Sequence, residues 1–177
     1  GYYKRPEATA EVFLEDGWFA TGDIGEIDHD GFLRITDRKK DVIVTAGGKN
    51  IAPQNLENLL KADPYISQAL VYGDRRPYLT AVLTLDLEAT QRYAGAHGIP
   101  GETSQEWAAQ PQIQQLLEAR VAHLNQQLAP YETIKKFIIA PTDFTPESGE
   151  LTPTLKVKRK VVIQKYQEQI ERLYQTG

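Results

Sequence analysis

An α+β fold is predicted by three features of the sequence. Two apolar, β-branched runs at residues 66–73 and 78–85 are separated by a turn cluster, which predicts an antiparallel pair of strands. An amphipathic helix is predicted at residues 111–128, where apolar residues follow one stripe. Strands and helices alternate without the regular period of βαβ units. We therefore expect a short hairpin and a mixed or antiparallel sheet, packed by helices.

The first part of the chain is predicted to form short strands. Strand patterns at residues 17–23 and within 25–37 are joined at the sequence DHDG, where Asp30 and Gly31 are a strong hairpin signal because glycine readily adopts positive φ. A buried strand is predicted at residues 41–46, where it ends at a pair of glycines.

The other elements follow from the spacing of apolar residues and from turn residues. Further helices and one strand are predicted, the helices at residues 52–63, 87–97 and 161–175 and the strand at 134–140. Loops are predicted at residues 98–105 and, broken by prolines and ending in four cations, at 141–160. We expect the last helix to complete the core of its own domain, rather than to bind a second copy, through Val162, Tyr166, Ile170 and Leu173.

Composition and charge exclude several classes of site. The chain contains no cysteine, which excludes disulfides, zinc ribbons and thiol nucleophiles. His29, His97 and His123 lack the spacing of metal ligands, and no G-x-S-x-G motif supports a serine–histidine–acid triad. A net charge of −4 gives no general attraction to nucleic acid. No apolar run reaches the roughly 18 residues of a membrane span, so we expect a cytoplasmic protein.

Four short segments are candidates for chemistry. They are TGD at residues 21–23, DRKKD at 37–41, GGKN at 47–50 and TPTLKVKR at 152–159. Taken singly, the first three are typical of turns and solvated hairpins, although a glycine pair also allows a ligand to approach the backbone. The last is typical of an exposed basic stripe, or of a surface that contacts a membrane or a nucleic acid.

In their order and spacing, these segments resemble the carboxyl-terminal part of the adenylate-forming superfamily of acyl-CoA synthetases, firefly luciferases and peptide-synthetase adenylation domains. The resemblance covers nearly the whole chain, and TAGGKNIAPQNLENLL at residues 45–60 is most similar to bacterial long-chain fatty acyl-CoA synthetases. It implies that residues 1–38 are a remnant of a large amino-terminal AMP-binding domain, 39–41 a hinge, and 42–177 a small mobile lid domain.

The resemblance also implies a two-step ligase reaction. The carboxylate of a fatty acid, whose long-chain class is implied by the resemblance, attacks the α-phosphate of Mg-ATP to form acyl-adenylate and pyrophosphate, and the CoA thiol then displaces AMP. The implied cofactors are ATP or AMP, Mg²⁺ and CoA, and the implied partners are the fatty acid, CoA and the amino-terminal domain of the same chain. Two alternatives stay open: an adenylation domain that loads a carrier protein, and a stand-alone binding module that contacts a partner or the inner membrane surface through KVKRK at residues 156–160.

The sequence has no Ser/Thr/Gly-rich phosphate loop, which this family needs to hold the β- and γ-phosphates. It also begins at Gly1 and contains no methionine. We therefore expect a fragment that folds but does not catalyse turnover by itself.

Three site residues are implied in the first part of the chain. Asp23 accepts hydrogen bonds from the ribose hydroxyls of AMP, which suits an ionised carboxylate because it only accepts. Arg38 contacts the same ribose through its planar fork of donors. Lys40 is the hinge, and the charges around it keep the linker solvated.

The GGKN segment is implied to act in thioester formation. Gly48 borders the path of the pantetheine arm, where a Cβ would collide, and Gly47 takes this role if the loop register shifts by one. Lys49 is expected to contact CoA phosphates, together with Arg75 or Arg76.

Lys156 is implied to be the catalytic lysine of adenylation. It bridges the substrate carboxylate and the α-phosphate, and a preorganised cation of this kind contributes on the order of 10² to 10³ in rate. Leu155 stands where many relatives have glycine, so Lys158 stays an alternative, and Arg159 matches a later arginine of the family. A nearby proline and glycine are expected to make this loop mobile. No metal ligand is predicted.

Overall fold

The structure of the protein, a computed structural model, describes residues 1–175, apart from the side chains of residues 36 and 37. The last two residues of the predicted lid and the side chain of Asp37 in the charged run therefore lie outside the described residues. Backbone contacts divide the chain into two compact units, Gly1–Val42 and Ile43–Gly177.

Helices and strands follow one another along both units. In chain order they are α1 (Pro6–Val12), β1 (Asp23–Ile27), β2 (Leu33–Arg38), β3 (Ile43–Val44), β4 (Asn50–Ile51), α2 (Pro53–Lys61), β5 (Ile66–Tyr72), β6 (Leu79–Leu85), α3 (Leu87–His97), α4 (Ser104–Ala108), α5 (Pro111–Asn125), β7 (Ile134–Ile139), α6 (Arg159–Lys165) and α7 (Gln167–Gln175).

The first unit consists of α1 and the antiparallel hairpin β1–β2. Asp23 lies opposite Arg38, and the turn is closed by Asp28, whose carboxylate accepts hydrogen bonds from the backbone N–H groups of Asp30 and Phe32. None of the described side chains of this unit is buried. Large apolar side chains that are mostly exposed include Tyr3, Trp18, Ile27, Phe32 and Leu33.

The first unit differs from the prediction in two places. Helix α1 was not predicted. The strand predicted at residues 17–23 does not form, because the chain reverses at Gly17, which has φ 86°, and Phe19 makes only an isolated bridge to Phe13. Of these residues only Asp23 lies in a strand, as the first residue of β1.

The second unit is built on a mixed three-stranded sheet in the order β5–β6–β7. Strands β5 and β6 are antiparallel, with Leu70 opposite Val82, which confirms the predicted pair. Strand β7 runs parallel to β6, with Ile138 opposite Val82. Helices α3 to α5 form the connection that a parallel pair requires. The predicted α+β class is confirmed.

Each face of this sheet carries a separate core. Successive strand residues point to opposite faces, so Leu83 packs with α2, α4 and α5, whereas Val82 packs with α6 and α7. The second core confirms that the last predicted helix completes its own domain, because it contains Val162, Tyr166 and Ile170.

Three predicted elements are corrected in the second unit. The strand at 41–46 is reduced to β3, in which Val44 is exposed. The loop at 98–105 contains the start of α4, because Thr103 and Glu106 form a capping box. The last helix is divided into α6 and α7 by Tyr166, which has φ −107°. None of the helices described between residues 1 and 175 is both long and apolar enough to cross a bilayer.

Candidate functional site

The two residues predicted to contact ribose are brought together in the first unit. Arg38 Nε lies 3.0 Å from Asp23 Oδ1 across β1–β2. The Asp23 N–H donates to Thr21 Oγ1 at 3.1 Å, and the Lys39 N–H donates to the Gly22 carbonyl at 2.8 Å. An ion pair with an arginine side chain 58% exposed contributes only about 0–1 kcal/mol. Ligand hydroxyls can therefore replace it at little cost.

Lys40 lies in an exposed turn after β2. The Asp41 N–H donates to the Arg38 carbonyl at 2.9 Å, which closes the turn between these two residues. The division into two units falls after Val42, two residues beyond Lys40. The exposure of Lys40 agrees with a solvated linker. Rotation of the lid domain about Lys40 stays a prediction, and so do the boundaries of the remnant, the hinge and the lid.

The glycine pair lies on the turn of the β3–β4 hairpin. The Thr45 N–H donates to the Lys49 carbonyl at 3.0 Å, and the Gly48 N–H donates to the Thr45 carbonyl at 2.9 Å. Gly48 has φ 74°, which residues with a Cβ rarely adopt, whereas Gly47 does not have positive φ. A Cβ on Gly48 would meet no described atom within 4 Å, so the space beside it is open and the requirement for glycine is conformational.

Arg76, one of the cations predicted to contact CoA phosphates, is engaged within the second unit. Its guanidinium forms an ion pair with Glu171 and lies 4.9 Å from the ring centroid of Tyr174. Its carbonyl accepts from the Ala46 N–H at 2.9 Å. Arg76 therefore joins the β3–β4 edge to α7.

Arg75 and Lys49 are exposed on the edge that contains the glycine pair. The Arg75 N–H donates to the Val44 carbonyl at 2.8 Å, which attaches the turn before β6 to β3. The Arg75 side chain is 92% exposed, and the Lys49 ammonium lies 5.6 Å from the ring centroid of Tyr131. Both cations are accessible to an anion.

Lys156 lies near the tip of a small hairpin formed by residues 150–158, which we name the lysine hairpin. Its arms are joined by an isolated antiparallel bridge between Leu151 and Val157. The segment predicted as a proline-broken loop is thus ordered by its own hydrogen bonds, and α6 begins directly after it at Arg159.

The tip of the lysine hairpin is closed by Thr152. Its N–H donates to the Lys156 carbonyl at 2.8 Å, and its hydroxyl accepts from the Lys156 N–H at 3.0 Å. Leu155 completes the turn with φ 59°. The Lys156 and Lys158 side chains are exposed, and neither ammonium group makes a hydrogen bond or ion pair with the residues that the structure describes.

The base of the lysine hairpin is held by a buried carboxylate. Glu150 is 1% exposed and accepts hydrogen bonds from the Ser148 hydroxyl and the Lys165 ammonium. Burial alone raises the pKa of Glu150, but the hydrogen bonds from Lys165 and Ser148 outweigh it and hold this pKa below its usual value. The hydrogen bond to Glu150 raises the pKa of Lys165. The pair is therefore charged at neutral pH.

Arg159 anchors the chain that leaves the lysine hairpin. Its guanidinium donates to the Glu57 carboxylate and, at 2.5 Å, to the Val71 carbonyl. Glu57 also accepts from the Val71 N–H at 2.8 Å. The arginine that matched a family position thus joins α6 to α2 and β5.

Glu57, Glu150 and Lys165 were not predicted as members of the site. The sequence offered a signal for Glu57, because a carboxylate beside Leu56 and Leu60 on the buried face of α2 requires a cationic or hydrogen-bonding partner. Glu150 lies in an irregular segment without periodicity, and Lys165 has the spacing of an ordinary surface lysine. The sequence therefore gave no sign that either residue is paired.

Known proteins are similar to this chain in both sequence and fold. Residues 40–177 match the family model described as AMP-binding enzyme C-terminal domain. The chain is 48% identical over 175 residues to long-chain-fatty-acid–CoA ligase FadD15 of Mycobacterium tuberculosis. This alignment covers 98% of this chain and 29% of that protein. The predicted similarity to bacterial long-chain fatty acyl-CoA synthetases is confirmed. The chain spans less than a third of the length of the curated relatives it matches.

Solved structures agree with this assignment. The adenylation domain of a carboxylate reductase from Mycobacterium chelonae aligns with a TM-score of 0.76 and 36% identity, covering 98% of this chain and 26% of that chain. The A-PCP didomain of carboxylic acid reductase from Segniliparus rugosus, in complex with AMP, aligns with a TM-score of 0.72 and 35% identity, covering 98% and 23%. Because the family model spans most of the sequence and the fold agrees with it, this chain belongs to the AMP-binding enzyme C-terminal domain family.

Proposed function

We propose that the chain is the carboxyl-terminal part of an ATP-dependent acid–thiol ligase that acts on long-chain fatty acids. In the first step the fatty acid carboxylate attacks the α-phosphate of ATP, and pyrophosphate leaves. In the second step the CoA thiol loses its proton and attacks the acyl carbonyl, and AMP leaves. Family membership supports the adenylate-forming chemistry, and the similarity to the mycobacterial long-chain-fatty-acid–CoA ligase supports the substrate class.

The observation that carries this proposal is the placement of Lys156. Its ammonium group is exposed at the end of an ordered hairpin and has no partner among the described side chains. The first step brings together a carboxylate and a phosphate, both of which are anionic. A cation held between them offsets their repulsion and the charge that develops in the transition state.

Other residues are assigned to binding. Asp23 and Arg38 are proposed to contact the ribose hydroxyls of AMP, and their partly exposed ion pair supports this because it is readily exchanged. Gly48 is proposed to border the pantetheine arm, with Lys49 and Arg75 near the CoA phosphates, and the open edge around Gly48 supports this arrangement.

ATP, Mg²⁺ and CoA are the proposed cofactors. Among the side chains that the structure describes, no group of three or more acidic or histidine residues is arranged to hold a metal ion. In this proposal Mg²⁺ binds with the ATP phosphates, mostly through the amino-terminal domain, as the family resemblance implies.

The proposed partner of this chain is an amino-terminal AMP-binding domain of the same protein. The first unit exposes large apolar side chains such as Trp18, Ile27 and Phe32, which supports contact with a larger body. In this proposal residues 1–38 belong to that body, Lys40 is the hinge, and the lid follows. We expect the 177-residue chain alone to catalyse neither step, because its sequence has no phosphate loop.

The test compares Lys156→Ala with Lys158→Ala in the full-length gene product. Lys158 is the matched control, because its side chain is also exposed and it lies two residues away. We expect Lys156→Ala to lower ATP–pyrophosphate exchange with palmitate on the order of 10²-fold, because it removes the bridging cation. Lys158→Ala is expected to stay close to the wild-type rate. The proposal fails if Lys156→Ala retains wild-type exchange.

Loading of a carrier protein is the second candidate, because one of the aligned structures is an A-PCP didomain. This reaction shares the first step and differs only in the thiol. Mass spectrometry of the products formed with palmitate, ATP and either CoA or a phosphopantetheinylated carrier protein separates the two candidates.

A stand-alone module that binds a partner through the basic run at 156–160 is less well supported than the ligase. Arg159 is directed toward Glu57 and Val71 inside the second unit, so the run does not form a continuous exposed stripe. The same orientation of Arg159 argues against contact of this run with a membrane surface.

A further inference from the structure

We propose that Glu150 and Lys165 form a positioning pair that holds the lysine hairpin in the geometry required for adenylation. The inference rests on the proposed function, because these residues have this role only if Lys156 acts in the first step. Neither is assigned contact with substrate. Both act on Lys156 through the hairpin.

The lysine hairpin transmits the position of Glu150 to Lys156 through two backbone hydrogen bonds and one to the Thr152 hydroxyl. The Glu150 carbonyl accepts from the Lys158 N–H at 2.7 Å. Thr152 forms two hydrogen bonds with Lys156, at 2.8 and 3.0 Å, on either side of the turn at Leu155. Because the arms are joined at base and tip, a shift at Glu150 moves Lys156, whereas a loop without these bonds would absorb it.

Both ends of the lysine hairpin are attached to packed elements. Glu150 binds the last residue of α6, a helix whose Val162 is buried in the second core. Arg159, at the start of α6, binds Glu57 on α2 and Val71 on β5. The base is therefore immobilised in the second unit while the tip is exposed.

The ion pair of Glu150 and Lys165 is only partly buried, since the Glu150 side chain is 1% exposed and the Lys165 side chain is 44% exposed. Removing the carboxylate from water costs free energy of a size similar to its attraction to the cation, so the pair contributes little to stability by itself. Directed hydrogen bonds to a carboxylate do, however, determine its orientation. Glu150 accepts from both Ser148 and Lys165, so the geometry points to orientation of the hairpin.

The experiment measures the two half-reactions separately in the full-length gene product. Adenylation is followed by ATP–pyrophosphate exchange with palmitate, and thioester formation by release of AMP from supplied palmitoyl-adenylate and CoA. The variants are Glu150→Gln, Lys165→Met and Lys165→Arg, with Glu147→Gln as the matched control because Glu147 is exposed on the preceding turn.

We expect Glu150→Gln and Lys165→Met to lower kcat for adenylation about 10-fold to 100-fold, as small misplacements of a reacting group do, with little change in KM for ATP. Thioester formation is expected to change less than about twofold, since Lys156 has no role in it. Lys165→Arg is expected to restore most of the adenylation rate, because it keeps the charge. Glu147→Gln is expected to match wild type.

A double variant, Glu150→Leu with Lys165→Met, keeps the test decisive if a single variant is unstable. Proteins often tolerate apolar replacement of a whole ion pair, so we expect a folded protein that still loses adenylation selectively. Wild-type adenylation by the double variant overturns the inference, and so does an equal loss in both half-reactions. Loss of adenylation in Lys156→Ala with no effect of Glu150→Gln overturns only this inference. Wild-type adenylation by Lys156→Ala overturns the proposed function and this inference with it.

Discussion

At the scale of single residues, the two buried carboxylates described in the chain determine how the lysine hairpin is held. Glu57 and Glu150 are 5% and 1% exposed, and each would be costly if left unpaired. Their partners, Arg159 and Lys165, are the first and last residues of α6. One short helix thus supplies both cations, and Lys165 also lies where a cation suits the helix dipole.

The charge state of Glu150 predicts how stability depends on pH. Because its pKa is lowered on folding, its contribution is fully present above the ordinary carboxyl pKa and is lost as pH falls through the lower folded value. The raised pKa of Lys165 keeps that cation charged throughout this range. We expect Glu150→Gln to reduce the free energy of unfolding by about 1–3 kcal/mol at neutral pH. The difference from wild type is expected to be constant between about pH 6 and 9 and to shrink below about pH 4.

Urea unfolding of wild type and Glu150→Gln across this pH range tests that prediction. Glu147→Gln serves again as the control, since an exposed glutamate is expected to change the free energy of unfolding by less than about 0.5 kcal/mol. A difference that varies strongly near pH 7, or that persists undiminished at pH 3, contradicts the assignment.

At the scale of elements, the β3–β4 hairpin shows how a very short pair of strands is maintained. Each strand has only two residues, so the ladder alone gives little support. The hairpin is instead fastened to the turn before β6, through Val44 and Ala46 on one side and Arg75 and Arg76 on the other. The Val44 N–H also donates to Asp74 Oδ1 at 3.1 Å.

The backbone of this hairpin predicts different effects for its two glycines. Gly48→Ala places a Cβ at positive φ and is expected to cost about 1 kcal/mol of unfolding free energy. Gly47→Ala is the matched control: its φ is not positive and its Cβ would meet no described atom closer than 3.9 Å, so we expect a change within about 0.5 kcal/mol. Denaturant unfolding of the two variants measures this. Equal costs would show that positive φ at Gly48 does not explain the requirement for glycine.

At the scale of the whole molecule, the two units differ in how they bury apolar surface. Every residue found in the two cores lies at or beyond Ile43. The first unit has no buried side chain within its described part. Within the described residues, both cores of this chain therefore lie in the second unit.

This difference predicts that residues 43–177 fold without residues 1–42. We expect the shortened chain to keep a cooperative thermal transition within about 4 °C of the full chain, since that shift corresponds to roughly 1 kcal/mol for a protein of this length. Circular dichroism at increasing temperature measures both midpoints. A shortened chain that lacks a cooperative transition would show that the first unit supports the cores.

Much of the fold and of the candidate site was predictable because the signals are local. Apolar spacing predicted α2, α5 and the β5–β6 pair, and the four short segments identified the family. The same segments indicated Asp23 and Arg38, which the structure places 3.0 Å apart. Only the backbone angle φ shows that glycine is required at Gly48 rather than at Gly47, and the sequence does not reveal this angle.

The sequence by itself determined the class of fold, the family and the segments that carry the candidate residues, because periodicity and short motifs depend on neighbours along the chain. Only the tertiary structure decided that β7 lies parallel to β6 and that Lys156 stands on an ordered hairpin. It also paired Glu57 with Arg159 across 102 positions of the sequence. The physical reason is that a buried charge selects its partner through the packing of distant elements, and no local pattern encodes that distance.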